Sequence, residues 1–232
     1  MTYAVSDIHG CFDKYKALLE KLDLGPDDRL YVLGDVVDRG PDGPKILLDM
    51  MERENVILLL GNHDEAMYIV LQDLRGEDPL LLRDEGALKV LDAWLSDGGA
   101  ETLVQYDEEL TRSEQEKVLR YIRDARKYAL LEINGQKHLL AHSIPEYGEY
   151  ILDDGMEGLD KMDFTFNETA YDTCYEGDVI MVSGHPPTGL IDPAYAGRIL
   201  RMNNHIAIDC GAVFGYPLGC ICLETGEEIY VT

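Results

Sequence analysis

The sequence is poor in basic residues, with 20 lysines and arginines against 45 aspartates and glutamates and a formal net charge of −25. Proteins bind nucleic acids through lysine and arginine patches that offset the phosphate charge, so this composition argues against a nucleic-acid partner. A negative charge of this size favours a basic partner surface instead.

Cysteines and long apolar runs are also scarce. The five cysteines are odd in number and lack the spacing of metal-binding knuckles, which argues against a disulfide framework. Apolar runs such as Val56 to Leu60 are too short to span a bilayer. The first strand pattern begins at residue 3, which leaves no room for a cleaved leader. We therefore expect a cytoplasmic protein without a membrane partner.

The chain does contain five short polar strings, each placed just after an apolar run. They are Asp7-Ile8-His9-Gly10, Gly34-Asp35-Val36-Val37-Asp38-Arg39-Gly40, Gly61-Asn62-His63-Asp64, Ala141-His142 and Gly184-His185. Strand ends deliver such side chains to one edge of a sheet, so the strings predict a shared site. Oxygen and imidazole ligands without thiolate suit manganese, iron or zinc. Two such ions, about 3.5 to 4 Å apart, can activate water and neutralise a phosphoryl group, which is hydrolytic chemistry.

The spacing of the apolar residues predicts how the first strings are connected. Short buried strands at 3–6, 29–33 and 55–60 alternate with amphipathic helices at 12–22 and 43–53. This βαβαβ order implies parallel strands with right-handed crossovers. The chain has 232 residues and is 46% hydrophobic, which is enough for one substantial core.

Between His63 and Lys127 the pattern becomes mainly helical and predicts an inserted cap. Ser113 and Glu116 have the spacing of a capping box at the start of one of its helices. The single tryptophan, Trp94, is expected to pack in the core of this cap.

The C-terminal half has the pattern of a second sheet. Its strand segments lie at 128–133, 136–141, 179–183, 205–209, 218–223 and 228–231. Asn134-Gly135 is a strong signal for a two-residue hairpin between the first two. The acidic, tyrosine-rich segment 144–177 has little periodicity and predicts a long surface loop.

The five strings, in this order, resemble those of the calcineurin-like metallophosphoesterases. The second string is similar to that of the phosphoprotein phosphatase (PPP) family, in particular its small bacterial and bacteriophage lambda-type serine/threonine phosphatases. Further similarity at 94–99 and 208–214 extends the resemblance over most of the chain. It implies an α/β fold, a two-sheet sandwich with α/β/β/α layers. The implied organisation is a single domain, 1–232, with a helical insertion at about 64–127.

The resemblance also implies a role for each residue of the site. Two divalent ions, expected to be manganese with iron or zinc as alternatives, would be held by Asp7, His9, Asp35, Asn62, His142 and His185. Asp35 would bridge the two ions, and a hydroxide between them would attack phosphorus in line. His63 would be the general acid, Asp38 would orient it, and Arg39 would hold the phosphate oxygens. Asn62 and His63 would also contact the substrate.

These implications predict a metal-dependent protein phosphatase acting on phosphoserine or phosphothreonine, with phosphotyrosine as a further substrate. One alternative is a symmetrical diadenosine tetraphosphate hydrolase, which the turn at 39–41 and the string at 61–64 also resemble. Asp38 favours the protein phosphatase, because the dinucleotide hydrolases tend to have another residue there. A phosphoprotein or phosphopeptide is thus the expected partner, and the oligomeric state stays open.

A second alternative is a catalytically silent phosphoprotein-binding module. The family usually has a second phosphate-binding arginine between the strings that hold His142 and His185, and no arginine occurs from Tyr128 to Gly197. Lys161, Arg198 and Arg201 are the candidates to replace it. A decayed enzyme would typically have lost a metal ligand, and none is missing here.

Overall fold

The first sheet is built by the predicted βαβαβ unit. In the computed structural model, which describes residues 1–145, 164–167, 169, 171–172 and 178–232, three parallel strands form its centre. The strands are β1 (Thr2–Val5), β2 (Arg29–Leu33) and β3 (Val56–Leu59), connected by helices α1 (Phe12–Leu22) and α2 (Gly43–Met51). The predicted strands and helices are confirmed to within two residues. Because the strands are parallel, their carboxyl ends lie at one edge of the sheet.

A run of helices follows β3, as predicted. It comprises α3 (Asn62–Leu74), α4 (Glu85–Trp94), α5 (Ala100–Glu108) and α6 (Arg112–Arg123), with a π-helical turn, Leu95–Gly99, between α4 and α5 and a 3-10 turn at Leu80–Leu82. Apolar side chains of these helices, such as Met67 and Val118, pack in the same core as the side chains on the outer face of the first sheet. In the described part of the chain, no helix is long and apolar enough to cross a membrane.

The capping box of α6 lies two residues before the predicted one. Thr111 has extended backbone and accepts the N–H of Glu114 at 3.3 Å, while the Glu114 carboxylate accepts the N–H of Thr111 at 2.8 Å. The prediction of Ser113 and Glu116 was wrong because an N-cap residue must have non-helical backbone, and Ser113 is already inside the helix.

The second sheet has the strand order β4, β5, β6, β8, β7 among the described residues. These strands are β4 (Tyr128–Ile133), β5 (Gln136–Ala141), β6 (Val179–Ser183), β7 (Leu200–Met202) and β8 (His205–Ala207), with a short helix α7 (Thr188–Ile191) after β6. Asn134 and Gly135 have φ of 54° and 78°, as a tight hairpin between β4 and β5 requires. The predicted loop 144–177 lies mostly outside the described residues, as do Cys174 and Lys161.

The prediction that the C-terminal half forms only the second sheet was wrong. Strands β9 (Leu218–Cys222) and β10 (Glu228–Val231) return to the first sheet, where β9 pairs antiparallel with β1. All five residues of β9 are buried, because the strand lies between β1 and β10. A short, uniformly apolar run does not reveal which of two sheets it will join, and this is why the pattern misled.

Alternating side chains of the strands serve two cores. Ala4 and Leu33 of the first sheet meet Leu140 and Val182 of the second in one buried cluster, so the two sheets pack face to face. The intervening Val32 points the other way, toward α1 and α2. Each fully buried aliphatic side chain of this kind contributes about 2 kcal/mol. The helix–sheet–sheet packing agrees with the predicted sandwich.

The loops that follow β2 and β3 touch each other through glycines. Gly34 has φ of +82°, and a Cβ at this position would lie 2.5 Å from the Cα of Gly61. Only glycine allows both the left-handed backbone and this approach. The contact brings the second and third polar strings together.

We expect Gly34→Ala to lower the free energy of unfolding by about 3 kcal/mol, because left-handed strain adds to a backbone collision. Gly135→Ala is the matched control, since Gly135 also has positive φ but no atom lies within 4 Å of the added Cβ. It should cost only about 1 kcal/mol. Chemical denaturation of both variants measures the difference, and equal losses would contradict the steric argument.

Candidate metal centre

The six predicted metal ligands all lie at the ends of strands. Asp7 and His9 follow β1, Asp35 follows β2, and Asn62 begins α3 directly after β3. His142 and His185 follow β5 and β6 of the second sheet. The face-to-face packing therefore brings ligands from both sheets to one place.

The atoms of these side chains are close enough to share cations. Asp35 Oδ2 lies 3.6 Å from His9 Nε2 and 3.5 Å from His142 Nε2. Asn62 Oδ1 lies 2.8 Å from His142 Nε2 and 3.1 Å from His185 Nδ1. Asp7 joins through its carboxylate, which accepts the backbone N–H of His185 at 3.1 Å.

Left-handed backbone is concentrated in these loops. Asp7, His9, Asp35 and His185 have φ of 53°, 44°, 53° and 76°. The left-handed region costs an L-residue about 1 kcal/mol or more, so a fold tolerates it only where the surrounding structure imposes it. Such strain gathered at one edge marks the edge as a functional site.

Two histidines are oriented by backbone carbonyls. His9 Nδ1–H donates to Val37 O, and His142 Nδ1–H donates to Leu33 O, both at 2.8 Å. With Nδ1 protonated, each ring presents the lone pair of Nε2 to the site. This is the usual arrangement of histidine as a metal ligand.

Burial sets the protonation states of the ligands. It lowers the pKa of His9 to about 3, and burial together with the neighbouring His142 lowers the pKa of His185 to about 4, so both rings are neutral at pH 7. Burial raises the pKa of Asp35 well above its usual value. Burial penalises the anionic form of a carboxylate, and a cation beside it offsets this penalty.

The residues fit a pair of metal ions. Two groups of candidate ligands share Asp35, and the ligand atoms in each group lie within 4.8 Å of one another. The first group contains Asp35, His9 and His63, and the second contains Asp35, His142 and His185. Among the described residues, Asp7 Oδ1 is buried without a hydrogen-bond partner, which leaves it available to a cation. The first group contains His63 where the sequence resemblance implies Asp7.

His63 is held by Asp38. Its Nδ1–H donates to Asp38 Oδ2 at 2.8 Å, and its backbone N–H donates to Asp35 Oδ1 at 3.0 Å. Burial lowers the pKa of His63, but the Asp38 hydrogen bond and the charge of Asp35 outweigh it and leave the pKa raised. The pairing favours an imidazole that can carry a proton on Nε2.

Trp94 makes a hydrogen bond that the sequence did not predict. It is buried in the core, as predicted, but its Nε1–H also donates to Asp38 Oδ2 at 2.8 Å, the atom that His63 binds. Thr102 Oγ1 accepts the N–H of Asp38 at 2.9 Å. The helical segment thus positions the partner of His63, and only the Trp-x-x-x-Gly-Gly string at 94–99 hinted at it.

Arg39 reaches across the mouth of the site. Its two terminal nitrogens lie 2.9 Å from His9 Nε2 and from His63 Nε2, and Nη2 donates to Asp97 Oδ1 at 3.1 Å. Asp97 was not predicted, and its side chain is 62% exposed. Exposed ion pairs contribute little, about 0 to 1 kcal/mol, so a phosphate can displace this one.

Asp64, which stands where the resembling phosphatases usually have glutamate, connects two loops through hydrogen bonds. Its carboxylate accepts the N–H groups of Asp35 at 2.8 Å, Val36 at 3.0 Å and Gly61 at 3.2 Å. Burial raises the pKa of Asp64 to about 6, against the stabilising effect of these donors. The aspartate therefore fixes the loop that carries Asp35 to the start of α3.

Arg201, a candidate for the missing second arginine, has other partners. Its Nε lies 3.3 Å from Glu228 Oε1, and its Nη2 donates to Gly226 O at 2.7 Å. Neither residue belongs to the predicted site. Arg39, the phosphate-binding residue that the resemblance implies, lies beside His9 and His63.

The sequence profile of the calcineurin-like phosphoesterases matches residues 2–212. The chain belongs to this family. Membership makes it a hydrolase of the metallophosphoesterase type, and the ligand groups above are its candidate metal sites.

Two curated relatives carry the same name, symmetrical bis(5'-nucleosyl)-tetraphosphatase. The protein from Cellvibrio japonicus is 27% identical over 98% of this chain and 97% of its own length. The one from Delftia acidovorans is 38% identical over 39% of this chain, which spans about a third (32%) of that relative. A solved structure described as a putative diadenosine tetraphosphatase matches 99% of this chain and 92% of its own, with a TM-score of 0.60 at 19% identity, and shows the fold alone. The relatives thus support the alternative function rather than the protein phosphatase.

We expect Trp94→Phe to lower kcat about tenfold with little change in bound metal, because it removes one hydrogen bond from Asp38 and leaves the ligands intact. Tyr106→Phe is the control: it deletes the hydroxyl of another buried ring of the helical segment, one that contacts Arg75 and Gln115. Steady-state kinetics with elemental analysis distinguish the two variants. The same loss in both would show that Trp94 acts only through packing.

Proposed function

We propose that this hydrolase cleaves dinucleoside polyphosphates, with diadenosine tetraphosphate as its type substrate and water as the second reactant. Cleavage of the central phosphoric anhydride adds one water and yields two molecules of ADP. The observation that carries this proposal is the symmetrical tetraphosphatase name of the curated relatives, one of which aligns with 98% of the chain.

In this proposal the predicted ligands keep the roles that the resemblance implies. Two divalent cations, manganese by preference with iron or zinc as alternatives, would be held by Asp7, His9, Asp35, Asn62, His142 and His185. When bound, such cations polarise the phosphoryl group and activate water. The buried carboxylates and the Nε2 atoms of His9 and His142 support this assignment.

Two further residues act on the substrate itself, and a third positions one of them. Arg39 exchanges its contacts with Asp97 and the imidazoles for nonbridging phosphate oxygens, which its planar guanidinium fits well. His63 gives a proton from Nε2 to the oxygen that leaves phosphorus. Asp38, held by Trp94, keeps Nδ1 of His63 protonated and the ring in place.

A protein phosphatase is the second candidate, and the His63–Asp38 pair favours it. An alkoxide from phosphoserine is a far more basic leaving group than a phosphate, so it depends more strongly on a positioned acid. Asp38 also stands where the resembling dinucleotide hydrolases tend to have another residue. Phosphoserine, phosphothreonine and phosphotyrosine peptides are the corresponding substrates.

The deciding experiment compares kcat/KM for diadenosine tetraphosphate, a phosphoserine peptide and p-nitrophenyl phosphate with manganese-loaded protein. We expect the dinucleotide to be cleaved at least about tenfold more efficiently, with ADP as the sole nucleotide product. Faster cleavage of the phosphopeptide would reject the proposal in favour of the second candidate. No cleavage of any of the three would support the silent binding module.

We expect His63→Ala to keep two metal ions per chain and to lose most of its turnover, because a general acid typically contributes about 10²- to 10⁴-fold. The matched control is His138→Ala, which removes a buried histidine of β5 that contacts Gln136 O. Elemental analysis and kcat are measured on both. A lower metal content in His63→Ala alone would make His63 a ligand, as its place in the first ligand group allows.

A further inference from the structure

A cleft of about 370 Å³ opens beside the metal centre, on the side of the general acid. We call it the His63 cleft. Its polar lining comes from Asn62 and His63, which it shares with the centre, and from Lys89 and Asp97; its apolar lining comes from Ala66, Val90, Ala93, Trp94 and Phe166. Pockets of this size accept small organic ligands.

The position of the cleft selects which part of a substrate it can receive. His63 protonates the oxygen that leaves phosphorus, so the departing group lies on the His63 side of the phosphorus. His63 itself lines the cleft, although its side chain is only 5% exposed overall. The departing half of the substrate is therefore directed into the cleft.

The walls of the cleft are unusually apolar for so acidic a protein. Val90 is 49% exposed and Phe166 is 58% exposed, although the chain carries a net charge of −25. Apolar area left in water costs about 25 cal/mol per Å² relative to its burial. The lining of two aromatic residues and small aliphatic ones suits a flat, weakly polar ring.

We propose that the His63 cleft binds the nucleobase of the departing nucleotide; this inference rests on the proposed function. The base lies against the Phe166 ring and the Val90–Ala93 face of α4. Lys89, on the same helix, offers a cation to the phosphates that link the base to the reacting centre.

Trp94 provides a direct reporter, because it is the single tryptophan of the chain and lines the cleft. ADP and inorganic pyrophosphate are titrated separately into the metal-loaded protein while tryptophan fluorescence is recorded. We expect ADP to change the emission in a saturable way and pyrophosphate, which lacks a base, to leave it unchanged. Equal responses to the two ligands would overturn the inference.

The matched variants are Ala93→Phe, which fills the cleft, and Leu88→Phe, which adds the same ring to an exposed position of α4 that does not line it. Base stacking on an aromatic wall supports a change of about tenfold. We expect the dissociation constant of ADP to rise by this factor in Ala93→Phe and by less than about twofold in Leu88→Phe. Phe166→Leu should also raise the dissociation constant of ADP, because the aromatic ring that stacks on the base is lost.

Turnover separates this inference from the function on which it rests. The ratio of kcat/KM for diadenosine tetraphosphate to that for inorganic tetraphosphate, which has the same anhydrides but no base, should fall about tenfold in Ala93→Phe. A wild-type protein that cleaves the dinucleotide, combined with an unchanged ratio in the variant, rejects the cleft and keeps the function. A wild-type protein that does not cleave the dinucleotide rejects the function and the inference with it.

Discussion

The buried carboxylate of Asp35 is the group on which the metal centre depends. Its side chain is 3% exposed, and its Oδ2 faces the Nε2 atoms of His9, His63 and His142 at 3.5 to 4.0 Å. Burial raises the pKa of Asp35, and nearby positive charge favours its anion. A pair of cations would supply such charge, and Asp35 belongs to both candidate ligand groups, one of which includes histidines that follow strands of the second sheet.

The fold holds this carboxylate from several directions. Asp64 accepts the N–H of Asp35, and Asp35 Oδ1 accepts the N–H of His63, so the loop after β2 and the start of α3 fix each other. The left-handed backbone of Asp35 costs energy that these contacts and the packed sheets compensate. Side chains held this firmly need little reorganisation when metal ions and substrate bind.

The helical segment holds residues that the loops of the first sheet present to the site. Trp94 and Thr102 hold Asp38, and Gly98 O accepts the N–H of Arg39 at 3.1 Å, so the helical segment positions both Arg39 and Asp38, the partner of His63. The turn at Leu95–Gly99 and α4 line the His63 cleft. Because strand ends carry the candidate metal ligands and α4 lines the cleft, substrate preference can differ among relatives that share one fold.

The sequence by itself determined the parallel βαβαβ unit and the hairpin at Asn134-Gly135, because these depend on local periodicity and turn chemistry. The six candidate ligands came from the resemblance of five short strings to a known family. Only the tertiary structure decided that β9 returns to the first sheet, that Trp94 binds Asp38, that Asp97 faces Arg39 and that an apolar cleft adjoins His63. Each of these joins residues distant in the chain, and a uniformly apolar strand or a lone tryptophan has no local signal for its partner. Periodicity records which face of an element is buried, whereas the choice of what covers that face is made by the packing of the whole chain.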